Sequence, residues 1–318
     1  MENLIDFSRK YGSDVELVAA GGGNTSMKEN GVLYVKKSGK PLAEAEMDSF
    51  ISLDMEKLLS IVGKAYPKSD SEREAAFLAD VMAAVLPGQS GRPSVEVLLH
   101  ALFPQKYVLH LHPALVNGLT CAVNGESEAR RLFGDDFLWI PACRPGHTLA
   151  VSLADKITSE TDTVLLQNHG VFFAADTPGE LGELLESMLE TIKTAVHEAP
   201  DIVHTAPLFN NSSAALKFSE SCESAGILMK PFTPDQIVYC GPYPSFVLGL
   251  EDWDGAGVAI VKGQGFYASS ENAMLLFEDA VKIAVYSQSF GGPLPLSEEL
   301  INFIINWEAE SYRKSQSR

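Results

Sequence analysis

The chain has 318 residues, 46% of them hydrophobic, which is enough for a sizeable core in one large domain or in a domain with an extension. Its 24 lysines and arginines face 42 aspartates and glutamates, a formal net charge of −18. That field opposes binding to nucleic acid or to an anionic membrane, and an anionic ligand would need a local site of backbone N–H groups, a metal and a few cations.

Four cysteines, Cys121, Cys143, Cys222 and Cys240, lack CxxC spacing and read as scattered thiols of a reducing compartment. The first residues have no basic and apolar leader pattern, and no apolar run reaches membrane-spanning length. The expectation is a soluble cytoplasmic protein.

In chain order, residues 2–12 read as a helix stopped by Gly12, and Glu16 to Ala20 as a strand. Gly21-Gly22-Gly23-Asn24-Thr25-Ser26 is a glycine-rich turn, followed by a hairpin partner at Val32 to Lys36 and then by Lys37-Ser38-Gly39. Such a turn is either an ordinary connection or a nest of N–H groups that holds a phosphate. It is neither a GxGxxG dinucleotide fingerprint nor a Walker loop. Phe50 to Leu53 reads as a strand, and Asp54 caps a helix through Val62. A further helix runs from Ser69 or Asp70 to about Leu86, with Ala75, Ala76, Leu78, Ala79, Met82 and Val85 on one stripe.

The stretch from Pro93 to Pro113 carries the chemistry. Ser94 can cap a helix bearing Glu96 and His100, which share a face four residues apart. Tyr107 to Leu111 is a short strand, so His110 and His112 point to one side, about 7 Å apart. Two imidazoles on one side suit a metal ion, or else one caps the sheet and the other is a satisfied core group. A third histidine closes a second apolar strand, Thr163 to Gln167, in the turn Asn168-His169-Gly170. Three histidines at strand ends with one open position resemble a catalytic rather than a structural zinc arrangement.

Residues 114–123 and 125–133 read as helices, Phe137 to Ile140 as a strand, 147–158 as a helix and Val171 to Ala174 as a strand pairing with 163–167. Thr177-Pro178 opens a long amphipathic helix. Beyond residue 205, strands are expected at Gln236 to Cys240, Gly257 to Lys262 and Gly265 to Ala268, and a helix from Ser270 to about Ser289. A last helix opens at Ser297 and ends in a polar tail. This region reads as a small α/β subdomain for packing or oligomerisation, in which Asp235, Tyr239, Tyr243 and Lys262 are candidates to line a substrate entrance.

Taken together, Gly23-Asn24-Thr25-Ser26, Ser38-Gly39, Pro93-Ser94-x-Glu96 with His100, His110-x-His112-Pro113 and Asn168-His169-Gly170 resemble the class II aldolase/adducin family, in the right order over residues 1–200. The nearest likeness is to the aldolase part of bifunctional rhamnulose-1-phosphate aldolase/short-chain dehydrogenase proteins, without a dinucleotide fingerprint. The resemblance implies a three-layer α/β/α fold with a mostly antiparallel sheet over residues 1–204, with 205–318 as an α/β extension, and a homotetramer with sites at subunit borders. It implies His110, His112 and His169 as ligands of Zn2+ or another divalent transition metal, Glu96 as acid/base, and Gly23, Asn24, Ser38, Gly39 and Ser94 around a substrate phosphate.

The reaction it implies is cleavage of a rhamnulose- or fuculose-1-phosphate-like ketose 1-phosphate to dihydroxyacetone phosphate and an aldehyde. Sugar-phosphate 4-epimerisation, decarboxylation of an oxo-acid phosphate and an adducin-like binding role are the alternatives. Two departures bear on the substrate. Ala142 stands where related aldolases carry a proton-donating tyrosine, leaving Arg144, His147, Tyr239 or Tyr243 as substitutes, and Val95 replaces a serine that often precedes the glutamate.

Overall fold

The computed structural model describes residues 1–309 and 312. Helix α1 (Glu2–Gly12) leads through an irregular segment into strands β1 (Asn24–Glu29) and β2 (Val32–Lys36). Their two-residue link, Asn30-Gly31, has φ of 51° and 76°. Both residues are left-handed, which the twist of a tight hairpin requires and which Asn-Gly accommodates best. Strand β3 (Phe50–Asp54) and helices α2 (Met55–Ile61), α3 (Asp70–Ala84) and α4 (Val97–Leu102) follow. Next come β4 (Tyr107–Leu111), α5 (Ala114–Thr120), α6 (Gly125–Phe133), β5 (Leu138–Ile140), α7 (His147–Ala154), β6 (Thr163–Leu166), β7 (Gly170–Ala175) and α8 (Pro178–Ala195).

Strands β1–β7 form one sheet in the order β3-β2-β1-β4-β7-β6-β5, antiparallel except for the β5/β6 pair. Alternation along β4 sorts its side chains. Tyr107, Leu109 and Leu111 face a core shared with Leu4 and Phe7 of α1 and Leu181 and Leu185 of α8. Val108 faces the opposite core, with Leu58 of α2, Phe77 of α3, Leu98 of α4 and Leu149 of α7. These are the three layers expected, α/β/α. His110 lies on the Val108 side, stacked on Phe172 with ring centroids 4.0 Å apart. Burying one such large apolar side chain stabilises by about 1.5–3 kcal/mol. A one-residue slip of β4 would expose several of them to the wrong layer and carry His110 away from α4, so register and site are fixed together.

The rest of the chain builds a second sheet, in the order β8-β11-β10-β9. It contains β8 (Phe209–Asn210), α9 (Ser213–Ser219), α10 (Cys222–Ala225), α11 (Pro234–Cys240), β9 (Ser245–Val247), β10 (Val258–Val261), β11 (Gly265–Ala268), α12 (Glu271–Tyr286) and α13 (Glu298–Ile305). Its core takes in Ala114 and Cys121 at the two ends of α5. There α12 comes so close that a Cβ on Gly118 would lie 2.3 Å from the Tyr286 Cβ. The polar tail expected after α13 falls outside the described residues, apart from Tyr312.

Two expected strands are absent. Residues 16–20 are a turn, because the chain bends at Ala20 (φ 53°) and Gly23 (φ 60°), and the strand starts at Asn24 instead. Gln236 to Cys240 is helical within α11, where Thr233 and Gln236 form a capping box and Pro234 occupies the first turn. These are the signals that mark Thr177-Pro178 as the start of α8. The apolar run Ile237-Val238-Tyr239 has strand propensity, but the cap and the packing of the helix outweigh it.

Candidate metal centre

Glu96 does not sit inside the helix but at its N-cap, where its backbone N–H donates to Ser94 Oγ at 3.3 Å. This turns its carboxylate inward, toward β1 and β4, and leaves it 4% exposed. Asn24, the first residue of β1 and the register partner of His110, donates from Nδ2 to Glu96 Oε2 at 2.6 Å. Its Oδ1 meets His100 Nε2, and the other ring nitrogen of His100 lies 2.7 Å from Ser26 Oγ. Burial holds the His100 imidazole well below its ordinary range, so it is neutral and serves as a hydrogen-bonding post. His100 thus supports the site through Asn24 and Ser26 and is not among the candidate metal ligands.

His110, His112 and His169 converge. Ligand atoms of Glu96, His110, His112 and His169 all lie within 4.8 Å of one another. His110 Nδ1 faces the Val171 carbonyl at 3.0 Å, and His112 Nδ1 faces Asp235 Oδ2 at 2.6 Å. Carbonyl and ionised carboxylate oxygens only accept, so each Nδ1 carries the proton and each Nε2 presents a lone pair. Those two Nε2 atoms nevertheless stand 2.8 Å apart. Glu96 Oε1 is 3.1 Å from His110 Nε2 and 3.0 Å from His169 Nε2, yet it has no hydrogen-bond donor. Lone pairs aimed at one another in a buried space repel unless a cation lies among them. The donor set, three imidazoles and one carboxylate, fits a divalent transition metal.

Burial lowers the His110 pKa to about 4, which keeps its ring neutral and available as a ligand at neutral pH.

His169 is set by the turn after β6. Asn168 takes a left-handed φ of 58°, and its Nδ2 donates to the carbonyls of Phe232 at 3.1 Å and Leu294 at 2.7 Å. Gly170 is needed for close approach, since a Cβ there would lie 2.4 Å from Leu111 O and 2.7 Å from His112 Cδ2. Gly23 abuts the His110 carbonyl in the same way.

The residues expected around a phosphate separate into two groups. Asn24 is committed to Glu96 and His100, and Gly23 packs beneath β4. Ser38 and Ser94 instead line a cleft of about 760 Å³ that also takes in Arg92, Arg144, Phe303 and Trp307. Gly39, left-handed at φ 83°, follows Ser38. Arg92 is ion-paired to Glu308 and Arg144 to Asp70 and Glu299.

Of the residues considered as substitutes for a tyrosine at Ala142, Tyr239 contacts the glycine-rich turn, its hydroxyl accepting from Gly21 N at 3.2 Å. Arg144 is held in ion pairs, Tyr243 donates to Glu298, and the His147 ring packs on Tyr66 and Phe77. Asp235 was legible only as a candidate for the entrance. A correct helix assignment for 234–240 would have placed it four residues from Tyr239, on the same face.

Comparison with known proteins agrees with this geometry. The profile of the Class II Aldolase and Adducin N-terminal domain matches residues 2–196. An uncharacterized oxidoreductase, YuxG, of Bacillus subtilis (strain 168) is 32% identical over 188 residues, 56% of this chain and 27% of that protein. The chain thus matches only about a quarter of that relative. The N-terminal class II aldolase domain of a conserved Thermoplasma acidophilum protein superposes with a TM-score of 0.54 at 26% identity, covering 60% of this chain and 91% of that one. The L-fuculose-1-phosphate aldolase of Thermus thermophilus gives a TM-score of 0.41 at 18% identity, over 61% of this chain and 94% of that one. With a matching profile over more than half its length and a three-layer fold to go with it, the chain belongs to the class II aldolase and adducin family.

Proposed function

We propose that this protein is a zinc-dependent aldehyde-lyase that cleaves a ketose 1-phosphate of the rhamnulose or fuculose type to dihydroxyacetone phosphate and an aldehyde. The observation that carries the reading is the set of four ligand atoms within 4.8 Å, with imidazole lone pairs and an undonated carboxylate oxygen turned toward one point. In adducin-like binding modules of this family the ligands are lost, whereas here all are retained.

His110, His112 and His169 would hold the cation. Bound there, it supplies Lewis-acid stabilisation for the negative charge that carbon–carbon cleavage leaves on the substrate. Glu96 moves the proton at the reacting carbon through Oε1, while its Oε2 stays fixed by Asn24. The hydroxyls of Ser38 and Ser94, with the backbone at Gly39 next to them, anchor the phosphate in the cleft that the two serines line, and Gly23 and Asn24 contribute from the glycine-rich turn. The anchor positions the reacting carbons and contributes through orientation rather than chemistry. We place this unit in residues 1–204, with 205–318 as an accessory unit, and propose a homotetramer.

Metal analysis of the purified protein and incubation of the metal-loaded form with a panel of ketose phosphates test the reading. One equivalent of metal and release of dihydroxyacetone phosphate are expected. Interconversion of epimers or release of carbon dioxide, with no triose phosphate formed, would assign a different reaction.

A further inference from the structure

We infer that Asp235, on helix α11 and outside the segment matched by the family profile, is a positioning residue of the metal centre. The inference rests on the metal-site reading above. Asp235 is 2% exposed and its Oδ2 lies 2.6 Å from His112 Nδ1. A carboxylate in that position fixes the tautomer and the ring plane of His112 and raises the basicity of Nε2, the atom that faces His110.

Two further contacts hold α11 and the segment before it in place. Asn168 binds the Phe232 carbonyl, and Tyr239 binds Gly21 N. The three contacts fall on three of the segments that build the site: the glycine-rich turn, the HxH strand end and the Asn-His-Gly turn. The steric fit is close, because a Cβ on Gly22 would lie 2.6 Å from Asp235 Oδ2 and 3.2 Å from His112 Nδ1. In this chain the extension therefore completes the centre, and metal affinity is a property of both parts.

The experiment uses the full chain. Zn2+ affinity is measured by competition with a chromophoric chelator, and the Co2+ form is examined by visible absorption, for the unaltered protein and for Asp235→Asn, Asp235→Ala and Gly22→Ala. Circular dichroism checks that each is folded. Affinity is expected to fall about 10–100-fold in Asp235→Asn and Asp235→Ala. The Co2+ bands should shift in both. Gly22→Ala, which pushes the carboxylate aside while keeping it, should weaken binding in the same direction, and it stands in if Asp235→Ala does not fold. An affinity within twofold of the unaltered protein, with an unchanged Co2+ spectrum in the folded variants, overturns the role of Asp235 alone. An unaltered protein that takes up no metal overturns the metal-site reading together with it.

Discussion

Asn24 and Glu96, 72 residues apart in the chain, are joined by a 2.6 Å hydrogen bond in which the amide leaves Glu96 Oε1 facing the histidines and holds Oε2 back. Because Asn24 also meets His100, it is a hinge between two buried polar groups. Asn24→Ala would leave both without their partner. Each buried group left unsatisfied costs about 1–3 kcal/mol, so a total loss of roughly 2–6 kcal/mol is expected. Thermal unfolding should show a fall of several degrees, and a melting point within one degree of the unaltered protein would contradict the pairing.

Glu96→Gln keeps the shape of the side chain and all three imidazoles but removes the proton acceptor. Metal content should be retained while turnover on the cleaved ketose phosphate falls about 10²–10⁴-fold. If kcat stays within a few fold with metal in place, Glu96 is not the acid/base.

Asn168→Ala probes the turn that carries His169. Alanine in a left-handed conformation costs roughly 1–2 kcal/mol. Two hydrogen bonds to the Phe232 and Leu294 carbonyls are lost as well, at about 1 kcal/mol each. Denaturant unfolding should show a loss of about 3–4 kcal/mol, and Asn168→Gly, which removes the same bonds without the backbone penalty, should lose less. Equal losses would show that the left-handed backbone contributes nothing.

Asp279, on α12, gives a pH signature of its own. Burial is the main cause that raises its pKa to about 7, although Lys282, 3.2 Å away, works in the opposite direction. A carboxyl that holds its proton more tightly when folded stabilises fully below its unfolded value of 3.8, and that contribution is lost as pH rises through about 7. The stability of the unaltered protein relative to Asp279→Asn should therefore fall by roughly 4 kcal/mol between pH 4 and pH 8. Parallel stability–pH curves for the two proteins would show that Asp279 titrates normally.

Much of the fold and the centre was legible in the sequence because local rules govern it. The run Tyr107 to Leu111, rich in aromatic and branched side chains and stopped by Pro113, names a strand and puts His110 and His112 near its end, and Thr177 with Pro178 at the first helical position announces α8. Where two local rules conflict, the sequence reading fails. The run Ile237-Val238-Tyr239 favours a strand while Thr233-Pro234 favours a helix, and packing decides for the helix.

The amino-acid sequence alone determined where most of the helices and strands lie and which residue types could bind a metal, because side-chain period and donor chemistry are local properties. The tertiary structure alone decided that Asn24 serves Glu96, that Ser38 and Ser94 share a cleft, and that Asp235 reaches His112 from 123 residues away. Those pairings depend on sheet order and on how α11 docks, which set distances between segments that no spacing along the chain encodes.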